Sequence, residues 1–279
     1  MSDVLGQQVV IDNRTGGNSV VAANAVLQAP RDGYTFLVDA ANQLTNPFLI
    51  KDLPFDYPST WMPVSQLSSF PKVIAVRHDF PARTIQEFIA LAREQPGEFS
   101  YGTPPAAGMA HMAGEELQRR AGIKLVHAPY RGGFDAARDI GSGSLDAVLI
   151  TTSSIRLPLQ NGKARILAVT NPRRTASFPD VPTLVESGFP GFDMNDWTGL
   201  FAAAGTPEPS IARLYEAVAK ASKTPAVRER LDPIGAEPVA STPQEFGVWP
   251  AGQRALLGKL LVEAGIKLGW RAAASPAPR

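Results

Sequence analysis

Short β-branched runs alternate with segments whose apolar residues recur at helical spacing along most of this chain. The runs Gln8 to Asp12, Tyr34 to Val38 and Lys72 to Val76 read as strands. So do Leu145 to Ile150 and Arg165 to Thr170, the last two separated by a polar, partly helical stretch. Val20 to Gln28 is helix-compatible, after the loop Thr15 to Asn18 and before the turn Pro30 to Gly33. Thr84 and Glu87 form a capping-box pattern ahead of Ile85, Phe88, Ile89 and Ala92, and Pro96-Gly97 stops that helix. Thr242 and Glu245 repeat the pattern, although Pro250 and Gly252 predict that the helix after it kinks or starts late. Strands separated by helices predict an α/β fold with mostly parallel sheets covered on both faces. Ligands in such folds sit beyond the carboxyl ends of the strands.

The densest information lies between Ser100 and Gly133, where a strand, a Gly/Pro-rich loop and a helix are followed by a second strand, Lys124 to His127, and a glycine loop. A second helix, Phe134 to Ile140, completes two strand–loop–helix units sharing one edge. Helix starts carry unpaired N–H groups and partial positive charge, so two of them at one edge form an anion site without a catalytic side chain.

Composition narrows the choice. The 279 residues are enough for one large or two ordinary domains, with 44% hydrophobic and 19% charged residues. The 27 basic and 26 acidic residues nearly cancel, which removes the electrostatic footprint of a nucleic-acid binder and requires any anion to be held locally. The absence of cysteine removes disulfides, thiolate nucleophiles and the usual zinc sites. Neither a secretory signal nor an apolar run near the roughly 20 residues of a membrane span is present. The end from Ala272 to Arg279 reads as disordered.

Each candidate site residue has a functional and a local reading. His111, in the first turns after the Gly/Pro loop, contacts a carboxylate or packs locally; with His78 and His127 it has no metal-binding spacing, so no metal is expected. No Gly-x-Ser-x-Gly elbow is present, so no catalytic residue is assigned. Gly141 to Gly143 lacks the third glycine of a dinucleotide fingerprint and reads as a helix-terminating turn, and no cofactor is expected. Arg131 pairs with a ligand or is solvated, whereas the amides of Gly132 and Gly133 are the stronger donors. The hydroxyls from Thr151 to Ser154 bind a carboxylate, cap the next helix, or do both. Trp197 walls a cleft or covers a core.

Several separate blocks resemble the substrate-binding receptors of tripartite tricarboxylate transporters, the Bug-type periplasmic solute-binding proteins. They include Val9 to Arg14, Pro30 to Thr35, Asn46-Pro47, Pro81 to Thr84, His127 to Gly132, Leu167 to Thr170, Phe178 to Thr183, Ala204 to Pro207 and Gly235 to Pro238. The resemblance spans Leu5 to Lys267 and implies a two-lobed, type II periplasmic-binding-protein-like fold. The lobes would be residues 1–76 with 198–279, and 77–197, closing over a ligand in the cleft between them. It further implies a monomeric, non-enzymatic periplasmic receptor that delivers a small carboxylate, a dicarboxylate or an aromatic carboxylate, to membrane permease subunits. A cytoplasmic carboxylate sensor is the alternative, and a hydrolytic α/β enzyme is disfavoured.

Carried over by position, the ligand contacts are Ala40, Ala41 and Asn42 in the first lobe. In the second they are Gly102, Thr103, Gly108, Met109, His111, Tyr130, Arg131, Gly132, Gly133, Thr151, Thr152 and Ser153, with Trp197 added as the cleft wall. Three departures from the family pattern are visible. Met1 stands where relatives are near the end of a first helix, so an upstream strand and ligand loop are expected to be missing. Residues from Pro104 to Met109 replace a loop richer in glycine and hydroxyls, and Ile150 replaces a polar residue at a strand end. Both of these favour an apolar or aromatic carboxylate.

Overall fold

The run from Lys72 to Val76 is buried throughout, which requires packing on both faces and a hydrogen-bonded neighbour on both edges. The computed structural model supplies both; it describes residues 1–104 and 108–263, excepting the side chains of 249–251 and 262. In chain order the elements are α1 (Ser2–Leu5), α2 (Val20–Gln28), β1 (Leu37–Asp39), α3 (Asn42–Leu49), α4 (Tyr57–Thr60), β2 (Trp61–Phe70) and β3 (Lys72–Arg77). Next come α5 (Ile85–Glu94), β4 (Ser100–Thr103), α6 (Met109–Ala121), β5 (Val126–Pro129), α7 (Gly133–Ser142), β6 (Ala147–Thr151), α8 (Thr152–Gln160) and β7 (Ala164–Val169). The chain continues through β8 (Asp196–Ala203), α9 (Glu208–Ala221), α10 (Pro225–Leu231), β9 (Glu237–Pro238) and α11 (Pro243–Glu263).

Two units divide the chain: Met1–Ser68 with Trp197–Arg228 and Pro238–Arg279, and Ser69–Asp196 with Glu229–Glu237. The expected break after residue 76 therefore falls too late. β3 is held in the second unit because its edges bond to β6 and β7, in the order β5-β4-β6-β3-β7.

That sheet is mixed rather than mostly parallel. β5, β4 and β6 run parallel, whereas β3 is antiparallel to both β6 and β7. Its two faces separate by parity: Val73 and Ala75 of β3 and Val148 and Ile150 of β6 join Ala136, Ile140 and Ile155 from α7 and α8 in one core. Ile74, Val76, Ala147 and Leu149 are buried on the opposite face.

The first unit carries the sheet β1-β8-β2-β9, with β1 antiparallel to β8. Val64, Leu200 and Ala202 from this sheet pack with Ile211, Leu214 and Val218 of α9. Gln8 to Asp12 forms no strand: Val10 and Ile11 are 76% and 72% exposed, because no strand lies alongside to bond them.

Local signals translate closely. α2 has the predicted limits, and α7 ends at Gly143, whose φ of 82° supplies the left-handed turn expected of the Gly141 to Gly143 stretch. At α11 the capping box is complete: Thr242 Oγ1 accepts the Glu245 N–H at 3.2 Å, and Glu245 Oε2 accepts the Thr242 N–H at 2.8 Å. The helix therefore starts at Pro243, and the late start expected from Pro250 does not occur. The end from Ala272 to Arg279 lies outside the described residues.

Candidate functional site: a sheet edge with uncapped helix starts

Because β4, β5 and β6 are parallel neighbours, their carboxyl ends share one edge of the second unit's sheet. Each strand runs directly into a helix. β4 ends at Thr103 before α6 at Met109, β5 ends at Pro129 before α7 at Gly133, and β6 passes from Thr151 straight into α8. None of the three helices has a side-chain hydrogen bond capping its start. Among the described residues the first amides of α6 and α7 are left for an external acceptor, which the helix dipoles favour as a negative one, whereas at α8 the Thr152 N–H already donates to the Pro71 carbonyl.

The glycines explain how these starts come together. A Cβ on Gly133 would lie 2.5 Å from Ser154 Oγ, so only glycine lets α7 approach the start of α8 so closely. At Gly132, the N-cap of α7, a Cβ would meet nothing within 4 Å, so this helix start opens onto free space. α8 is more enclosed. Gly235, at φ +69°, passes so near that a Cβ would fall 2.9 Å from the Ser153 nitrogen, and the Thr152 hydroxyl donates to the Gly235 carbonyl at 3.2 Å.

Side-chain hydroxyls supplement the amides. Thr151 Oγ1 lies 3.1 Å from Ser153 Oγ and 2.9 Å from Ser154 Oγ, a cluster able to turn its donors toward a carboxylate. Thr152 is committed elsewhere, since its N–H donates to the Pro71 carbonyl and its side chain is buried. Arg131 is exposed at the edge of the same loop. Tyr130 does not offer its hydroxyl, which donates to Asp139 Oδ2 at 2.9 Å on the following helix.

Beneath α6 lies a polar network. The His111 ring stacks on His127 at 3.7 Å, and His111 Nε2 is 3.5 Å from Glu115 Oε1. Tyr101 and Gln118 also donate to Glu115 Oε1, at 2.8 and 3.0 Å, while His127 Nε2 hydrogen-bonds Thr103 Oγ1 at 2.8 Å. Burial, and then the neighbouring His111, push the His127 pKa down to about 4. The hydrogen bond from His111 leads the causes that hold Glu115 below the usual carboxylate range. His111 is thus mostly buried and engaged within its own layer, the local reading of the two open at the sequence level.

Other candidates separate. Gly102 is a packing glycine, since a Cβ there would meet Leu145 at 2.6 Å and Tyr130 at 3.0 Å. Met109 is buried, Gly108 is the exposed N-cap of α6, and residues 105–107 of the loop lie outside those described. Ile150 is wholly buried in the core against α7 and α8, so it lines no ligand surface and its argument for an apolar ligand falls away. Trp197 is 1% exposed and packs on Phe201 and Phe246 in the first unit, which makes it a core residue. Ala40, Ala41 and Asn42 follow β1 in that unit. There Ala40 N–H donates to Asp39 Oδ1 at 2.9 Å, Asn42 Nδ2 donates to Ser19 Oγ at 2.8 Å, and α3 starts without a side-chain cap.

Ser154, the last of the four hydroxyl residues read from the sequence, completes the hydroxyl cluster. One residue escaped sequence reasoning. Lys72, in register with Thr151, is a fully buried cation 2.8 Å from Asp196 Oδ2, its pKa lowered by burial. A charged residue opening an otherwise apolar strand was the available signal. Among the described residues no cluster of acidic and histidine side chains has the grouping of a metal site.

Residues 1–266 match the family described as tripartite tricarboxylate transporter family receptor, TctC. A UPF0065 protein from the tcbD-tcbE intergenic region of Pseudomonas sp. strain P51 is 33% identical over 264 residues, covering 94% of this chain and 79% of the relative. Among solved structures, a TctC solute-binding protein from Polaromonas superposes with TM-score 0.85 at 26% identity, covering 94% of this chain and 89% of that one. R. palustris Rpa4515, solved with adipate, superposes with TM-score 0.70 at 28% identity, covering 95% and 89%. The α/β architecture, the strand-to-helix edge and these matches along nearly the whole sequence agree, and the chain belongs to the tripartite tricarboxylate transporter receptor family, whose members are periplasmic solute-binding proteins rather than enzymes.

Proposed function

We propose that this chain is a periplasmic receptor that binds one carboxylate group of a small organic acid at the carboxyl edge of the second unit's sheet. The bound acid is then delivered to the membrane permease subunits of a tripartite transporter. The observation that carries this reading is the trio of helices α6, α7 and α8, which start at one edge without side-chain caps. A carboxylate accepts several N–H bonds at such a place without needing a buried countercharge. The proposed donors are the amides from Gly108 to Ala110 and from Gly132 to Phe134, with the hydroxyls of Thr151, Ser153 and Ser154. Ala40, Ala41 and Asn42 are kept as proposed contacts of the first unit.

Adipate in the Rpa4515 structure supports a dicarboxylate as the first compound to test. Phe134, 73% exposed in the first turn of α7, adds an apolar surface next to the amides and favours a ligand with a hydrocarbon body. The receptor is proposed to act as a monomer. Calorimetric titration with adipate, shorter dicarboxylates and their diamides tests the reading. Binding of the acids and not of the diamides is expected; equal binding of both would show that anionic charge is not what the edge recognises.

A further inference from the structure

The first unit contains a recess of about 170 Å³ lined by Gln43, Tyr57, Trp61, Phe201, Phe246 and Arg254. Its four aromatic residues are each less than a tenth exposed, so the walls are rigid and apolar. Arg254, on α11, brings a half-buried guanidinium to this wall. Its Nη2 donates to the Gln43 carbonyl at 3.3 Å, while its Nε has no hydrogen-bond partner among the described residues. The acidic residue acting on it, Asp56, is committed to capping α4, accepting from Ser59 N at 3.1 Å and Ser59 Oγ at 2.6 Å.

A guanidinium withdrawn from water without an ion pair is costly, and the cost falls when an anion docks against it. The planar fork suits a carboxylate, which it can bind through two parallel bonds. The cavity sets the rest of the ligand: an apolar space on the order of 150 Å³ accepts one benzene ring, and aromatic walls offer edge-to-face contacts to it. A bare inorganic anion would leave those walls unfilled. A longer aliphatic chain would overrun them.

We propose that this recess is a second binding site, specific for a monocarboxylate carried on a single aromatic ring, with the ring against Trp61 and Phe246 and the carboxylate on Arg254. It stands independently of the amide edge, with which it shares no residue. Benzoate is the probe, benzyl alcohol its neutral counterpart, and the full chain the material, followed by calorimetry and tryptophan fluorescence. Benzoate is expected to bind and to change the fluorescence through Trp61, at least tenfold more tightly than benzyl alcohol. Arg254→Met is expected to weaken benzoate at least tenfold. Arg254→Lys, which keeps the charge and loses the fork, is expected to weaken it severalfold, and it carries the test if the methionine variant does not fold. Trp61→Phe should abolish most of the fluorescence change, and a benzoate-induced change that persists in this variant overturns the placement of the ring against Trp61. Unchanged affinity in both Arg254 variants, or no benzoate binding at millimolar concentration, overturns the proposal. Loss of benzoate binding in Gly132→Asp would place benzoate at the edge of the second unit, overturning this site while leaving the receptor reading intact.

Discussion

Helices α5 and α11 begin with side chains that satisfy their own first amides, whereas α6, α7 and α8 begin with none. At α5, Thr84 Oγ1 accepts the Glu87 N–H at 3.2 Å and Glu87 Oε2 accepts the Arg83 N–H at 2.6 Å. Self-capping contributes about 1 kcal/mol to a helix and leaves nothing for a ligand. At the edge of the second unit that stabilisation is forgone at three adjacent helices. The difference separates helices that cap themselves from helices whose starts form the proposed anion site.

Giving α7 its own anion should erase the distinction most strongly. The N-cap Gly132 has extended backbone angles and open space around it, so Gly132→Asp can place a carboxylate on the first amides of the helix. Adipate affinity is expected to fall about 100-fold, roughly 2.7 kcal/mol, while the unfolding free energy rises by a few tenths of a kcal/mol. Lost affinity together with lost stability would mean that Gly132 is merely structural.

α8 sharpens the comparison because its start is uncapped yet covered by Gly235. Gly235→Ala must place a Cβ against backbone at a positive φ, and a destabilisation of about 2 kcal/mol in chemical denaturation is expected. A neutral result would show that the cover is loose and that α8 is as open as α7.

The layer beneath α6 predicts a pH dependence. With the folded His127 pKa near 4 against 6.5 unfolded, the unfolded chain binds more protons between those values, so stability rises with pH across that window. The full contribution is present above about pH 6.5 and is lost as pH falls toward 4. Discounted for partial exposure, about 1–2 kcal/mol is expected between pH 7.5 and pH 4.5. His127→Gln should flatten that part of the curve in denaturation measured across the range; an unchanged slope would assign it to other groups.

The smallest effect tests the capped side. Thr84→Ala should cost about 1 kcal/mol in unfolding free energy and leave adipate affinity unchanged in calorimetry. A change in affinity would remove the division of labour between the two sets of helices.

Local interactions made much of this readable in advance. The capping boxes at Thr84 and Thr242, the limits of α2 and the glycine ending α7 all depend on residues within a few positions of one another. The amide edge was also legible, because strand, glycine loop and helix are consecutive in sequence from Ser100 to Gly133. The site details were less so. Trp197 and Ile150 entered cores, and the Tyr130 hydroxyl turned to its own helix, because burial and hydrogen-bond competition depend on distant partners.

By itself, the sequence determined the helix starts and stops, the apolar faces and the absence of self-capping residues where α6 and α7 begin. These are set by short-range sterics and hydrogen bonding. Only the tertiary structure decided that β3 turns antiparallel between β6 and β7 and that Gly235 covers α8 while Gly132 stays open. It also decided that Arg254 joins four aromatic residues contributed by four different elements. Such arrangements depend on which distant segments exclude water together, and spacing along one chain carries no record of that.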